Sequence, residues 1–235
     1  MTHLIETWQK PSCVHALQTT CFLDNESFDI HPQYANPNQL NSLCRQFSLP
    51  HAPIFLQQVH QATVIEYKQI PSIDFQFKAD ACFTRQPGIV CAVMTADCLP
   101  VLLTDSAGSF VAAVHCGWRS LFHNILPETL ELINPNHDVF VWLGPCIQQP
   151  QYEVDESFVN NYLKHHPDAH TAFTPIVAGK SQASLYQMAT IQLRKLGIKN
   201  ISQSNECTFL DDRYYSWRAN ETHQRMASML WLKSP

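Results

Sequence analysis

The feature that most constrains this chain is a series of short, strongly apolar runs between residues 54 and 118. In order they read IFLQQVH, TVIEY, ACFT, IVCAVMTA, PVLLTD and SFVAAVHCGW, each bounded by Gly, Pro, Asp or Gln. Short runs rich in Val, Ile, Leu, Phe and Ala between turn-forming residues predict strands. The middle of the chain is therefore expected to be a sheet. Helical spacing follows it. Over residues 119–133, Leu121, Ile125, Leu126, Leu130 and Ile133 repeat at helical intervals, with Pro127 expected to split or kink the helix. The turn from strand to helix falls at Gly117-Trp118.

Beyond it, DVFVWLGP predicts a strand closed by a Gly-Pro turn, and helices are predicted over 155–164 and 183–196, the latter capped by Gly197. Met226, Met229, Leu230 and Leu232 are read as one face of a closing helix over 220–232. Residues 1–50, rich in Asn, Gln and Pro, are expected to be irregular apart from a short helix over 39–47 that ends before Pro50. Strands and helices interleave without a βαβ rhythm, and no repeat or linker divides the chain. The fold class expected is mixed α/β (α+β), a layered sheet sandwich flanked by helices, in a single domain over residues 1–235.

Several function classes are disfavoured by composition. A formal net charge of −5 with no Lys/Arg cluster lacks the electrostatic footprint of nucleic-acid binding. The acid and polar groups of MTHLIETWQKPSCVH interrupt any signal-peptide core, and no apolar run is long enough to span a membrane, so a soluble, cytoplasmic protein is expected. Nine cysteines, an odd number with no CxxC pair, suit neither a disulfide framework nor a zinc finger. None of the six glycines forms a phosphate-cradling motif.

The chemistry sits where the apolar runs stop. His60 closes IFLQQVH, Cys98 follows IVCAVMTAD, and His115 closes FVAAVH. Neighbouring strands bring their ends to similar heights, so the three side chains can converge on one ion. Two imidazoles and a thiolate suit zinc and leave a fourth position open, the catalytic rather than the structural arrangement. Zinc lowers the pKa of a water in that position to about 7. Asp80 and Asp97 flank the trio, and each is costly to bury without a partner, so either is a candidate for moving protons. Arg119, at the start of the helix after His115, is a candidate anion ligand.

Two other readings use the same atoms. Cys98 and His115 form a candidate thiolate–imidazole dyad for acyl transfer. Two histidines and a cysteine also make the equatorial set of a blue-copper site, but the chain has no His-x-His pair among its twelve histidines, which argues against multicopper oxidation.

The blocks QVHQATV, KADACFTRQPGIVCAVMTADCLPVLL, VAAVHCGWRSL and WLGPCI resemble the YfiH family, also called the peptidoglycan-editing factor or multicopper polyphenol oxidase (laccase-like) family. Resemblance runs over residues 55–147, with weaker echoes at YEVDESF, NECTF and RMASMLWL. It implies a zinc-dependent purine nucleoside enzyme that carries out phosphorolysis of adenosine, inosine, guanosine and methylthioadenosine, and deamination of adenosine. It places the zinc ligands at His60, Cys98 and His115, and makes nucleoside and phosphate the partners. The implied fold is a layered sandwich similar to the cytotoxic necrotizing factor-like cysteine hydrolases. A hydrolase or amidase editing peptidoglycan precursors is the alternative attached to this family, and a catalytically weak binding protein is a third.

This chain departs from the family pattern at several cationic positions. Where members carry Arg in a TTR-type segment it reads QTTC, ending in Cys21, and an Asn-Arg pair becomes Asn38-Gln39. GWRG becomes GWRS at Ser120, and an Arg-Arg pair becomes Arg218-Ala219. Arg119 and Arg218 remain as the candidates for holding phosphate or ribose. Nothing in the sequence fixes the oligomeric state, and a monomer is compatible with it.

Overall fold

The computed structural model describes residues 2–177 and 179–233; positions 1, 178, 234 and 235 of the expected 1–235 domain lie outside the described residues. Two sheets stack at its centre. One runs in the order β1 (His3–Leu4), β2 (Val14–Gln18), β15 (Met226–Leu232), β7 (Val90–Thr95). The other runs β14 (Asn200–Gln203), β10 (Val139–Leu143), β8 (Leu99–Asp105), β9 (Val111–Cys116), β6 (Ala81–Thr84), β5 (Val64–Glu66). All pairs are antiparallel except β5 with β6 and β10 with β14.

Period-two alternation sorts each strand between two cores. On β7, Cys91 and Val93 face the second sheet, where they meet Cys82, Leu102, Val111, Ala113 and Trp142; Val90, Ala92 and Met94 point the other way. That outer face is covered by Phe28, Ile30 and Leu43, the last from α1 (Pro37–Gln46). The far face of the second sheet, with Phe83, Val101, Leu103, Ala112 and Val114, packs on α2 (Trp118–Phe122), α3 (Ile125–Ile133), α4 (Glu156–His165) and α5 (Leu185–Lys195). A small sheet in the order β11 (Glu153–Asp155), β13 (Lys180–Ala183), β12 (Phe173–Pro175) lies among these helices in the sequence, and a two-strand ribbon pairs β3 (Phe22–Leu23) with β4 (Glu26–Ser27). The molecule is thus a layered α/β sandwich with helices outside both sheets, as the sequence predicts. Strands buried on both faces lose polar/apolar alternation, which is why they read as continuous apolar runs.

Four local expectations are corrected. Residues 226–232 form β15, not a helix: the strand lies between β2 and β7 with all seven residues buried, so its apolar set is continuous and coincides with helical spacing by accident. Only α6 (Trp217–Asn220), a single turn, precedes it. Residues 54–60 are not a strand. Their one bridge is Gln57 to Lys78, and neighbouring N–H groups turn to carboxylates, Phe55 to Asp74 and Val59 and His60 to Asp80. The N-terminal fifty residues are more regular than expected, since β2 contributes a full strand beside β15. The helical run after His115 does divide, but at His123-Asn124; Pro127 sits in the first turn of α3, where its missing N–H costs nothing.

Candidate functional site

Strand register assembles the site. Antiparallel pairing sets Pro100 on β8 opposite His115 on β9, which brings Cys98, in the turn before β8, beside Gly117 just past β9. On the other side of β9, Ala81 pairs with Val114 and the His115 N–H donates to the Asp80 carbonyl at 2.7 Å. Asp80 therefore lies beside His115 at the start of β6. His60 arrives from a loop. Its backbone is left-handed (φ 59°), a conformation costing a non-glycine residue of order 1–3 kcal/mol.

Asp80 holds that loop. Its carboxylate is fully buried and accepts four N–H groups: His60 N at 2.9 Å and His115 Nδ1 at 2.8 Å on Oδ1, and Gln61 N at 2.8 Å and Val59 N at 3.2 Å on Oδ2. Burial raises its pKa, but His115 and the backbone donors outweigh it and hold the carboxyl below its ordinary value. An ionised carboxylate only accepts, so His115 Nδ1 carries a hydrogen and Nε2 is the nitrogen left to act as a ligand, a metal there taking the place of its proton. A histidine oriented in this way by a carboxylate is the usual support for a bound metal.

The ligand atoms of His60, Cys98 and His115 lie within 4.8 Å of one another, and this trio is the one such group of His, Cys, Asp or Glu among the described residues. The two imidazole rings meet edge to face, 4.8 Å between centroids. Gly117 lies beneath all three. A Cβ there would come 3.1 Å from the His60 ring, 3.2 Å from Cys98 Sγ and 3.5 Å from the His115 ring. Burial opposes ionisation of the Cys98 thiol, but His115 and His60 bring its pKa down to about 6. Against burial, Cys98 and Asp80 push His115 up to about 9. The thiolate is the form that binds a metal or attacks a carbonyl. Donor set, carboxylate support and the space over Gly117 all fit a metal ion.

Asp97 stands next to Cys98 in a left-handed conformation (φ 83°). Thr208 Oγ1 donates to its Oδ1 at 2.7 Å, while Ser216 Oγ at 3.0 Å and Arg218 N at 2.7 Å donate to its Oδ2. Its carbonyl accepts the Ile147 N–H at 3.0 Å. Both expected proton carriers are thus engaged in holding the frame. Asp80 faces the back of His115 and Asp97 ties down the C-terminal segments.

The trio lies in a cavity of about 750 Å³, also lined by Asp97, Trp118, Tyr152, Arg119, Arg218 and Arg225. Arg119 lies over the Trp118 ring at 4.4 Å and Arg218 over Tyr152 at 5.4 Å. Arg225 was not singled out in the sequence. It is half-buried, and its guanidinium donates to the Thr222 and Gln224 carbonyls at 2.9 and 2.8 Å. None of the three arginines forms an ion pair with a carboxylate among the described residues. The signal for Arg225 was its position, a polar side chain directly before the apolar run 226–232, as His60 and Cys98 flank theirs. The helix carrying Arg119 is a single turn, so the helix-terminus contribution expected there is small.

Fold and site together define a class: a layered α/β sandwich that opens a cationic pocket over a His-Cys-His trio able to hold a metal. The chain belongs to the YfiH family, whose model, described as "Multi-copper polyphenol oxidoreductase laccase", matches residues 32–233. Among its relatives, a protein from Haemophilus influenzae named "Purine nucleoside phosphorylase" is 37% identical over 96% of this chain and 97% of its own. One from Escherichia coli K12, "Purine nucleoside phosphorylase YfiH", is 33% identical over 97% and 98%. The crystal structure of a protein from Neisseria meningitidis matches with a TM-score of 0.88 and 31% identity over 99% of both chains. A Bacillus licheniformis YfiH structure shares the fold with a TM-score of 0.86 at 23% identity. No helix among the described residues is long and apolar enough to cross a membrane.

Proposed function

We propose that this protein is a zinc-dependent purine nucleoside phosphorylase of the cytoplasm, acting on adenosine, inosine, guanosine and methylthioadenosine with phosphate, and deaminating adenosine. The observation that carries the reading is the convergence of His60, Cys98 and His115 over Gly117 in a cavity also lined by arginines. The names of its relatives supply the substrate class. Zinc is favoured over a multicopper assembly because the described residues offer a single trio, of two imidazoles and one thiolate.

In this reading His60 Nδ1 or Nε2, Cys98 Sγ and His115 Nε2 hold the ion, which when bound supplies Lewis acidity. Asp80 keeps His115 in the ligating tautomer. Arg119 and Arg218, which this chain keeps, neutralise the phosphate together with Arg225, which adds a third cation to the cavity where the N-terminal arginines and an arginine at position 219 are absent. In phosphorolysis a phosphate oxygen bonds to C1′ of the ribose as the C1′–N9 bond breaks and the base leaves. Trp118 and Tyr152 line the same cavity, each with an arginine over its ring, and so position Arg119 and Arg218 beside the trio.

The test is hypoxanthine release from inosine by purified protein, with and without phosphate, alongside metal analysis. One zinc per chain and phosphate-dependent release are expected, and Cys98→Ala loses both. Full turnover after zinc removal sinks the reading. A second reading is favoured by the line Asp80–His115–Cys98, which has the geometry of a cysteine hydrolase and fits an amidase editing peptidoglycan precursors. Activity that survives a chelator but is lost on alkylation of Cys98 supports that reading instead.

A further inference from the structure

Two cysteines outside the pocket have no part in this chemistry. Cys146 follows β10, Cys207 follows β14, and the two are partners in an isolated parallel bridge. In it the Cys146 N–H donates to Glu206 O at 3.4 Å and the Thr208 N–H to Cys146 O at 3.1 Å. Bridge partners sit about 4.8 Å apart, inside the Cα spacing of about 4.4–6.8 Å that a disulfide needs. Their sulfurs share one neighbour: the Gln148 N–H donates to Cys207 Sγ at 3.4 Å and Gln148 Nε2 to Cys146 Sγ at 3.4 Å. Cys146 is buried, while Cys207 is partly exposed and lines a surface depression with Glu206, Leu210 and Arg213.

The two segments that carry these cysteines also help to hold Asp97, together with Ser216 and Arg218. Ile147, next to Cys146, donates its N–H to the Asp97 carbonyl, and Thr208, next to Cys207, donates its hydroxyl to the Asp97 carboxylate. Asp97 is left-handed and directly precedes Cys98. Anything that draws residues 146 and 207 together therefore acts on the turn that presents Cys98 to the pocket.

We propose that Cys146 and Cys207 are a redox-active pair, which a peroxide joins in a disulfide, and that the bond resets Asp97 and with it the presentation of Cys98. Cys207, the accessible member, attacks one peroxide oxygen. The O–O bond breaks, the departing oxygen leaves as water after protonation, and Cys207 becomes a sulfenic acid. Cys146 then attacks the Cys207 sulfur; the S–S bond forms, the S–O bond breaks, and hydroxide leaves with the Cys146 proton as a second water. Two thiols are oxidised by two electrons in all, and peroxide is reduced to two waters. Burial raises the pKa of the Cys146 thiol, so Cys207 and not Cys146 is the thiol that meets peroxide; Cys146 enters only in the second step, where it stands beside the Cys207 sulfur and passes its proton to the departing hydroxide.

The experiment treats the full chain with hydrogen peroxide and maps its peptides. A species lighter by two hydrogens, with the peptides of Cys146 and Cys207 joined, is expected in the wild type and in Cys98→Ala, whose link cannot arise by way of Cys98. In linked molecules the rate at which iodoacetamide captures the remaining free Cys98 should differ from that of the reduced chain by roughly threefold or more. Cys207→Ser, at the partly exposed position, should lose both the link and the rate difference; Cys146→Ser should do the same. Oxidation of Cys207 to higher acids with no link to Cys146 overturns the pairing, and a link that leaves the capture rate unchanged overturns its action on the pocket.

Discussion

Replacing Asp80 by Asn changes one oxygen to an NH2 group without opening a cavity, so its effect isolates what the carboxylate does. Four N–H donors converge on the two oxygens. An amide supplies one oxygen, and whichever way it turns, two donors face another donor. Each buried donor left without an acceptor costs about 1–3 kcal/mol, so the metal-free protein should lose about 2–6 kcal/mol with the NH2 toward Val59 and Gln61, and about 1–3 kcal/mol with it toward His60 and His115, whose ring can change tautomer. If the amide turns its NH2 toward His115, Nδ1 becomes the acceptor and the hydrogen moves to Nε2, the atom the metal needs. Loss of such carboxylate support weakens metal binding about 10–100-fold, or about 1.4–2.7 kcal/mol. Urea unfolding of the metal-free chain measures the first quantity and a competition titration with a zinc chelator the second. Zinc affinity within twofold of wild type refutes the orienting role of Asp80, whatever happens to stability.

Gly117→Ala should leave the fold intact, because φ −65° and ψ 160° suit alanine, yet lower metal affinity by pressing on the His60 ring and Cys98 Sγ; far-ultraviolet circular dichroism with zinc titration checks both halves. The depressed pKa of Cys98 means that its thiolate exists above about 6 and is lost below it, so iodoacetamide capture by the metal-free chain should rise through a midpoint near pH 6. A midpoint near 8.5, that of an ordinary thiol, contradicts the coupling to His115 and His60. Leu230→Ala, in the strand paired on both sides by β2 and β7, should cost about 2–5 kcal/mol in urea unfolding. A loss below about 1 kcal/mol is inconsistent with a buried central strand.

Much of the architecture was legible because burial on both faces of β6 to β10 leaves long apolar runs between turn residues. The same burial hid β15: with Met226 to Leu232 all enclosed, nothing in the run distinguishes a period of two from one of 3.6. The run 54–60 misled in the opposite sense. Its apolar residues pack inward, yet its N–H groups are taken by Asp74 and Asp80, and side-chain acceptors far along the chain leave no pattern in the local sequence.

What the sequence determined by itself was the set of chemical parts: two histidines and a cysteine beside apolar runs, and Asp80 and Asp97 where a carboxylate needs partners. Residue type and local pattern suffice for that, since ligand chemistry belongs to the side chain. Only the tertiary structure decided what the parts do to one another. The registers of β6, β8 and β9 bring Asp80, His115 and Cys98 together, Gly117 leaves room for them to converge, and Arg225 joins the pocket from the far end of the chain. Those relations depend on strand pairing between segments distant in sequence, and so no local pattern records them.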